Sequence, residues 1–174
     1  MITIDGGTGI ILNNGVEVAS PKQFDEWRMS ADQDLSNTET LTNWERTDSN
    51  FDLQGTGMTH SSGVFTFPST GIYEVVSKVA GSRSGGSNKY CNWRTFMSVD
   101  SGNTYNIRDQ GSSCMTDFSG TNTINIYSPT ILNITNASTT RLRFGTYGGN
   151  NNFTVAAGGF GTTVTFRKLS VATM

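Results

Sequence analysis

The chain holds one imidazole, His60, and two thiols, Cys91 and Cys114, in 174 residues. That scarcity settles most of the chemistry. A serine or cysteine nucleophile needs a base held within hydrogen-bond reach, and the one imidazole stands in Thr59-His60-Ser61-Ser62, a stretch that reads as a loop. A tetrahedral zinc site needs four soft or imidazole ligands, and neither cysteine lies in a close Cys/His cluster. Glycoside cleavage needs two carboxylates opposed across a sugar. Glu26, Glu45, Asp48 and Asp52 qualify by type, and no spacing singles out a pair. The residues therefore assign no catalytic centre and no cofactor, and the expectation is a protein that binds.

For binding, the informative types are aromatic rings, which offer a face to a sugar, and Asn amides, which both donate and accept. Tyr90, Tyr105, Tyr147, Asn150 and Asn151 make the candidate glycan contacts, whereas Trp93 falls within a strand and reads better as core. Asp100, Asn103 and Asp109 are oxygen donors suited to calcium, without the dense ligand spacing of a dedicated loop. Cys91 and Cys114 are placed either to bridge neighbouring strands or to remain separate thiols; one bridge would not make a disulfide framework. An isoelectric point near 5.3, with no stripe of Lys and Arg interleaved with aromatics, argues against a nucleic-acid partner. No run approaches the roughly 20 apolar residues needed to cross a bilayer. Met1 to Gly6 lack the basic and apolar regions of a secretory signal, so export is not expected. Asn133-Ile134-Thr135, Asn136-Ala137-Ser138 and Asn152-Phe153-Thr154 match the glycosylation acceptor pattern, as chance allows in a chain rich in Asn and Thr.

The elements that must position these residues are strands. Twenty glycines and only 15% charged residues fit many strands and tight turns in a single domain. In Gly63 to Val76, Phe65 and Phe67 share one face, Pro68 ends the strand because it lacks a ladder donor, and Gly71 opens the turn into Tyr73, Val75, Ser77 and Val79. Asn92 to Val99, Asn122 to Ser128, Ile131 to Thr135 and Arg141 to Tyr147 read as further strands, with Asp32 to Asn37 and Gly81 to Lys89 as loops. Ser20-Pro21 starts a brief turn before a strand over Glu26 to Ser30. Residues 1–20 differ from the rest: Ile2, Ile4, Ile10, Ile11 and Leu12 are punctuated by glycines, and Asn14-Gly15 predicts a fold-back of Ile10 to Leu12 on Val16 to Val18. They read as an arm, or as an outer hairpin of the domain over 21–174. Residues 1–52 carry ten acids and three bases, and 53–174 four acids and nine bases. This asymmetry fits solvated edges or complementary subunit faces.

The spelling Gly63-x-Phe65-x-x-Pro68-x-x-Gly71-x-Tyr73 resembles the signature of the complement first-component globular head, a trimeric jelly roll sharing its architecture with the tumour necrosis factor (TNF) superfamily. Leu41 to Arg46 looks like the preceding strand and Gly158 to Phe166 like the closing one, so the resemblance covers about four-fifths of the chain. Trp27-Arg28-Met29, Asn43-Trp44-Glu45 and Gly55 to Gly63 resemble the variant in structural proteins of tailed, especially marine, bacteriophages. The resemblance implies an all-β jelly-roll sandwich and a homotrimer, with Phe65, Tyr73, Phe160 and Phe166 in the core or along the threefold axis. It further implies a non-enzymatic virion surface protein, either capsid decoration or a short fibre head, joined to capsid or tail proteins through the arm. The alternatives are a glycan-binding adhesin of a tail fibre and a secreted complement- or cytokine-like ligand.

Overall fold

The alternation across Gly63 to Val76 does produce two strands, but the turn between them carries the chain from one sheet to another instead of closing a hairpin. The computed structural model describes residues 2–4, 11–13, 16–17, 23–35, 40–49, 51, 53–84, 90–114, 121–147, 153–158 and 161–170. In chain order the strands are β1 (Ile2–Ile4), β2 (Ile11–Asn13), β3 (Val16–Glu17), β4 (Phe24–Met29), β5 (Gln33–Leu35), β6 (Trp44–Arg46), β7 (Thr59–Ser61) and β8 (Val64–Thr66). They continue as β9 (Gly71–Ser84), β10 (Tyr90–Ser98), β11 (Asn106–Cys114), β12 (Thr121–Ile134), β13 (Arg141–Tyr147), β14 (Phe153–Val155) and β15 (Thr163–Ser170).

Two antiparallel sheets build a jelly-roll sandwich. One runs β11-β10-β13-β8-β7; the other runs β5-β14-β9-β15-β4-β6, with β12 on the far side of β9. Long β9 carries β12 along one edge and both β15 and β14, end to end, along the other. β1, β2 and β3 form a small sheet of their own, in which Leu12 faces Glu17 and Asn13 faces Val16, the fold-back that Asn14-Gly15 predicts.

The core follows from period-two burial: β4 turns Asp25, Trp27 and Met29 inward, and β15 turns Val164 and Phe166 inward. Phe65 is fully buried and touches Trp27, Trp44, Phe144 and Phe166 with ring centroids 5.2–5.7 Å apart, mostly edge to face. Such pairs add about 0.5–1.5 kcal/mol each beyond area burial. Phe67 meets the Tyr73 ring at 4.9 Å, and the Tyr73 hydroxyl donates toward the Ser69 carbonyl at 3.0 Å or Gln23 Oε1 at 2.9 Å. One side chain thus packs the core and ties down the Pro68 turn. Gly63 has φ 83°, and a Cβ there would stand 2.5 Å from the Leu41 carbonyl oxygen, which explains the glycine that opens the motif.

Of the residues expected in the core or along the axis, Phe65, Tyr73 and Phe166 lie in the protomer's own core, each nearly or fully buried; Phe160 lies outside the described residues. Other expectations need correction. The two segments on either side of Pro129 are a single strand, β12, because an edge strand tolerates a proline whose nitrogen faces away from the ladder. Gln33–Leu35, expected as loop, pairs with β14, and Asp32 and Asp34 accept hydrogen bonds from Ala157 N–H and the Thr154 hydroxyl. β9 extends through Ser84 into the stretch read as loop, and 85–89 lie outside the described residues. Cys91 is opposite Ser113 and Cys114 opposite Tyr90, so the two thiols point to opposite faces of their sheet and no disulfide joins them.

Candidate functional site

The outward face of the seven-stranded sheet is the molecule's most distinctive surface. Pairing stacks its residues into rows: Tyr127, Lys78, Thr163 and Arg28 in the first, Pro129, Val76, Thr165 and Glu26 in the second, Ile131, Glu74, Arg167 and Phe24 in the third. The inward neighbours along β12, Ile126, Ser128 and Leu132, are buried, so Tyr127 and Ile131 necessarily point out, 70% and 58% exposed. They are large apolar side chains that this face leaves exposed to solvent. Charges stand among them in every row: Lys78 and Arg28, then Glu26, then Glu74 and Arg167. Arg167 approaches Glu74 at 3.7 Å, and an open cavity of about 330 Å³ lies beside Phe24, between Gln23, Gln54, Arg167 and Lys168.

Towards the β6 edge the same face becomes charged: Arg28 binds Glu45 at 2.8 Å and Asp48 at 2.9 Å, which holds the guanidinium pKa above its ordinary value, mainly through the Glu45 hydrogen bond. Two of the four carboxylates considered for glycoside chemistry are therefore spent on one arginine; Glu26 stands on β4 and Asp52 lies outside the described residues.

Beneath this edge, Asp25 is a buried carboxylate that no sequence motif pointed to. It accepts from Trp27 Nε1 at 2.9 Å, Arg46 Nε at 2.9 Å and Met58 N at 2.7 Å, and Arg46 lies 4.7 Å above the Trp27 ring. Arg46 also donates to the Met58 carbonyl at 2.6 Å. The charge is paired and fully hydrogen-bonded, the condition under which a buried ion is tolerable. Its work is to fix β4, β6 and the segment before β7 together. His60 sits in β7 and not in a loop; its Nε2 accepts the Gly63 N–H at 2.9 Å and its ring packs 4.8 Å from Phe65, so burial lowers its pKa and keeps it neutral.

Of the candidate glycan residues, Tyr90, Tyr105 and Tyr147 are among the described ones, and they stand at two ends of one sheet. Tyr90 and Tyr147 lie towards one end of the five-stranded sheet, at the start of β10 and the end of β13. Tyr105 lies beyond the opposite end of β10, half-buried with Arg143 4.1 Å over its ring, and desolvation raises its pKa. Asn150 and Asn151 are outside the described residues. Trp93 is fully buried, stacked on Phe144.

The calcium candidates are also divided. Asp100 organises its own turn, accepting from the Ser98 hydroxyl at 2.6 Å and Thr104 N at 2.9 Å, contacts that lower its pKa; Asn103 donates to the Asp100 carbonyl at 2.6 Å. Asp109 instead takes the Ser128 hydroxyl across the seam between β11 and β12. Among the described residues no three His, Cys, Asp or Glu side chains gather as metal ligands.

No family model and no curated protein matches the sequence. Solved structures do match the fold. The Eiger TNF of S. frugiperda superposes with a TM-score of 0.69 at 14% identity, covering 89% of this chain and 97% of that one. Murine APRIL at pH 5.0 gives a TM-score of 0.61 at 13% identity, covering 85% of this chain and 99% of that one. At such identities the likeness is one of architecture, and it establishes a TNF-like jelly roll for this chain.

Proposed function

We propose that the chain is a non-enzymatic surface-binding protein that acts as a homotrimer, and that it serves on the virion of a tailed bacteriophage as capsid decoration or a short fibre head. The observation that carries self-association is the row of Tyr127, Pro129 and Ile131 exposed beside Val76 and Phe24 on a sheet whose opposite face is already packed. Covering it with a second copy gains about 25 cal/mol per Å² of apolar area removed from water, less the cost of desolvating the charged residues in the same rows. The virion role rests on the resemblance around Trp27, Trp44 and Gly55 to Gly63. In this reading residues 1–20, with Ile2, Ile4, Ile10, Ile11 and Leu12, join the head to capsid or tail proteins. Their short strands leave backbone groups that a neighbouring chain can pair.

Light scattering of the intact protein tests assembly: a mass of three times 18.8 kDa is expected, and Tyr127→Asp with Ile131→Asp returns it to one. A wild-type monomer would overturn the reading. Removing residues 1–20 leaves the trimer and abolishes attachment to purified phage heads and tails. The second reading, a cytokine-like ligand, is favoured by the likeness to Eiger TNF and APRIL; it predicts binding to receptor ectodomains and none to phage particles.

A further inference from the structure

One rung of the sandwich interior is polar on all four of the strands that contribute to it. Ser77 on β9 is opposite Ser128 on β12, the Ser128 hydroxyl donates to Asp109 on β11, and Asp109 is opposite Thr95 on β10. Four consecutive strands around the interior thus contribute Ser77, Ser128, Asp109 and Thr95 at one level. The neighbouring inward positions are Val75 and Val79 on β9, Ile126 and half-buried Thr130 on β12, Gly111 on β11, and Trp93 and Met97 on β10. Ser77 and Thr95 are fully buried, and neither Ser77 Oγ nor Thr95 Oγ1 has a hydrogen-bond partner within the protein; nor does Nε1 of fully buried Trp93, on the next inward position of β10.

Buried hydroxyls and indole N–H groups are almost always satisfied in native proteins. Packed sheets stand about 10 Å apart, and the Ser and Thr side chains of this rung are shorter than the Val, Ile, Trp and Met at the neighbouring inward positions. An occupant must both accept and donate: Trp93 offers only a proton, whereas Asp109 offers only lone pairs when ionised. A metal cation would answer the carboxylate but not the indole. Water answers both, and a buried water takes 2–4 polar partners, as this rung provides. We propose that the rung is an internal hydration site, holding ordered water that links Ser77 and Asp109 with Thr95 and so bridges the two sheets near the β11–β12 seam.

The sign of a stability change separates this from a dry rung. If the hydroxyls are simply unpaired, Thr95→Val removes a desolvated polar atom at nearly constant shape and raises the unfolding midpoint. If they hold water, Thr95→Val and Ser77→Ala each lower it, by about 2–4 °C for a chain of this length, and the double variant loses less than the sum because both act on the same water. Thr95→Ser, which keeps the hydroxyl, remains close to wild type. Oxygen-17 relaxation dispersion on the unmodified protein needs no variant and detects long-lived internal water; a crystal structure at high resolution places it. Water density at the rung, lost in the double variant, is the expected result. A rung without density, stabilisation by both substitutions, or a midpoint that rises with added sodium or calcium and falls with its removal would overturn the proposal.

Discussion

The two halves of the sandwich interior are held by opposite means. Around β4, β6, β8 and β13 the interior is aromatic: Phe65 touches five rings, His60 among them, and the buried carboxylate of Asp25 is met by Trp27, Arg46 and Met58. Between β9, β12, β11 and β10 a rung of short hydroxyls interrupts a core of Val75, Val79, Ile126 and Leu132, and β11 turns only Asp109, Gly111 and Ser113 inward, all half-buried. The first half is held by ring geometry, the β11 seam by ladder bonds and close backbone approach. Stability is accordingly concentrated on one side, and β11 is the strand whose amides should exchange with solvent first.

The largest effect belongs to the aromatic half. Phe65→Ala removes the ring that five others surround, and buried Phe to Ala costs about 3–5 kcal/mol, measurable by urea unfolding; a loss below about 1 kcal/mol would show that the cluster relaxes freely and would dissolve the contrast. The seam responds to addition more than to deletion. At Gly111 a Cβ would stand 2.5 Å from Ile126 Cγ2, so Gly111→Ala forces β11 and β12 apart. Overpacking of this kind costs about 1–3 kcal/mol, and faster hydrogen exchange in β11 than in β13 would locate the damage at the seam. Uniform exchange across both strands would mean that the halves open together.

The contrast also explains what could be read before any coordinates. The aromatic half announces itself: Trp44, the Phe65 and Phe67 alternation and the Arg141–Tyr147 strand all show apolar residues at strand spacing, and β13 runs over the span the spacing predicts. The seam is silent. Asn106–Cys114 has no apolar period because its inward face meets hydroxyls, Gly111 and the side of β12, so nothing in it distinguishes a strand from a loop. Gln33–Leu35 fails for the same reason, being an edge paired through its backbone. The candidate interaction face was invisible for another reason: Tyr127 and Ile131 share a period of two with buried neighbours, and only the pairing of β12 with β9 decides which set turns outward. Asp25 likewise depends on Arg46 and Met58, residues 21 and 33 positions away.

His60 offers the gentlest probe, because it reports on the aromatic half through one proton. Its Nε2 accepts the Gly63 N–H and its ring lies between Trp27 and Phe65, 5.4 and 4.8 Å away, an environment whose desolvation lowers the imidazole pKa from its ordinary 6.5. In the unfolded chain His60 gains its proton as pH falls through 6.5, while in the native protein protonation waits for a lower pH. The unfolded state therefore binds more protons in this window, and stability contributed by neutral His60 is complete above 6.5 and declines as pH drops from there towards the folded value. Protonation would also turn the acceptor of the Gly63 N–H into a donor, at the glycine whose positive φ sets the β7–β8 turn. Unfolding midpoints of wild type and His60→Phe across pH 8 to 5 isolate the effect: the variant keeps a ring beside Phe65 but cannot titrate, so the difference between the two should shrink or reverse as pH falls. A constant difference across that range would mean that His60 is as easily protonated folded as unfolded, and that the aromatic half is wetter around β7 than its ring contacts imply.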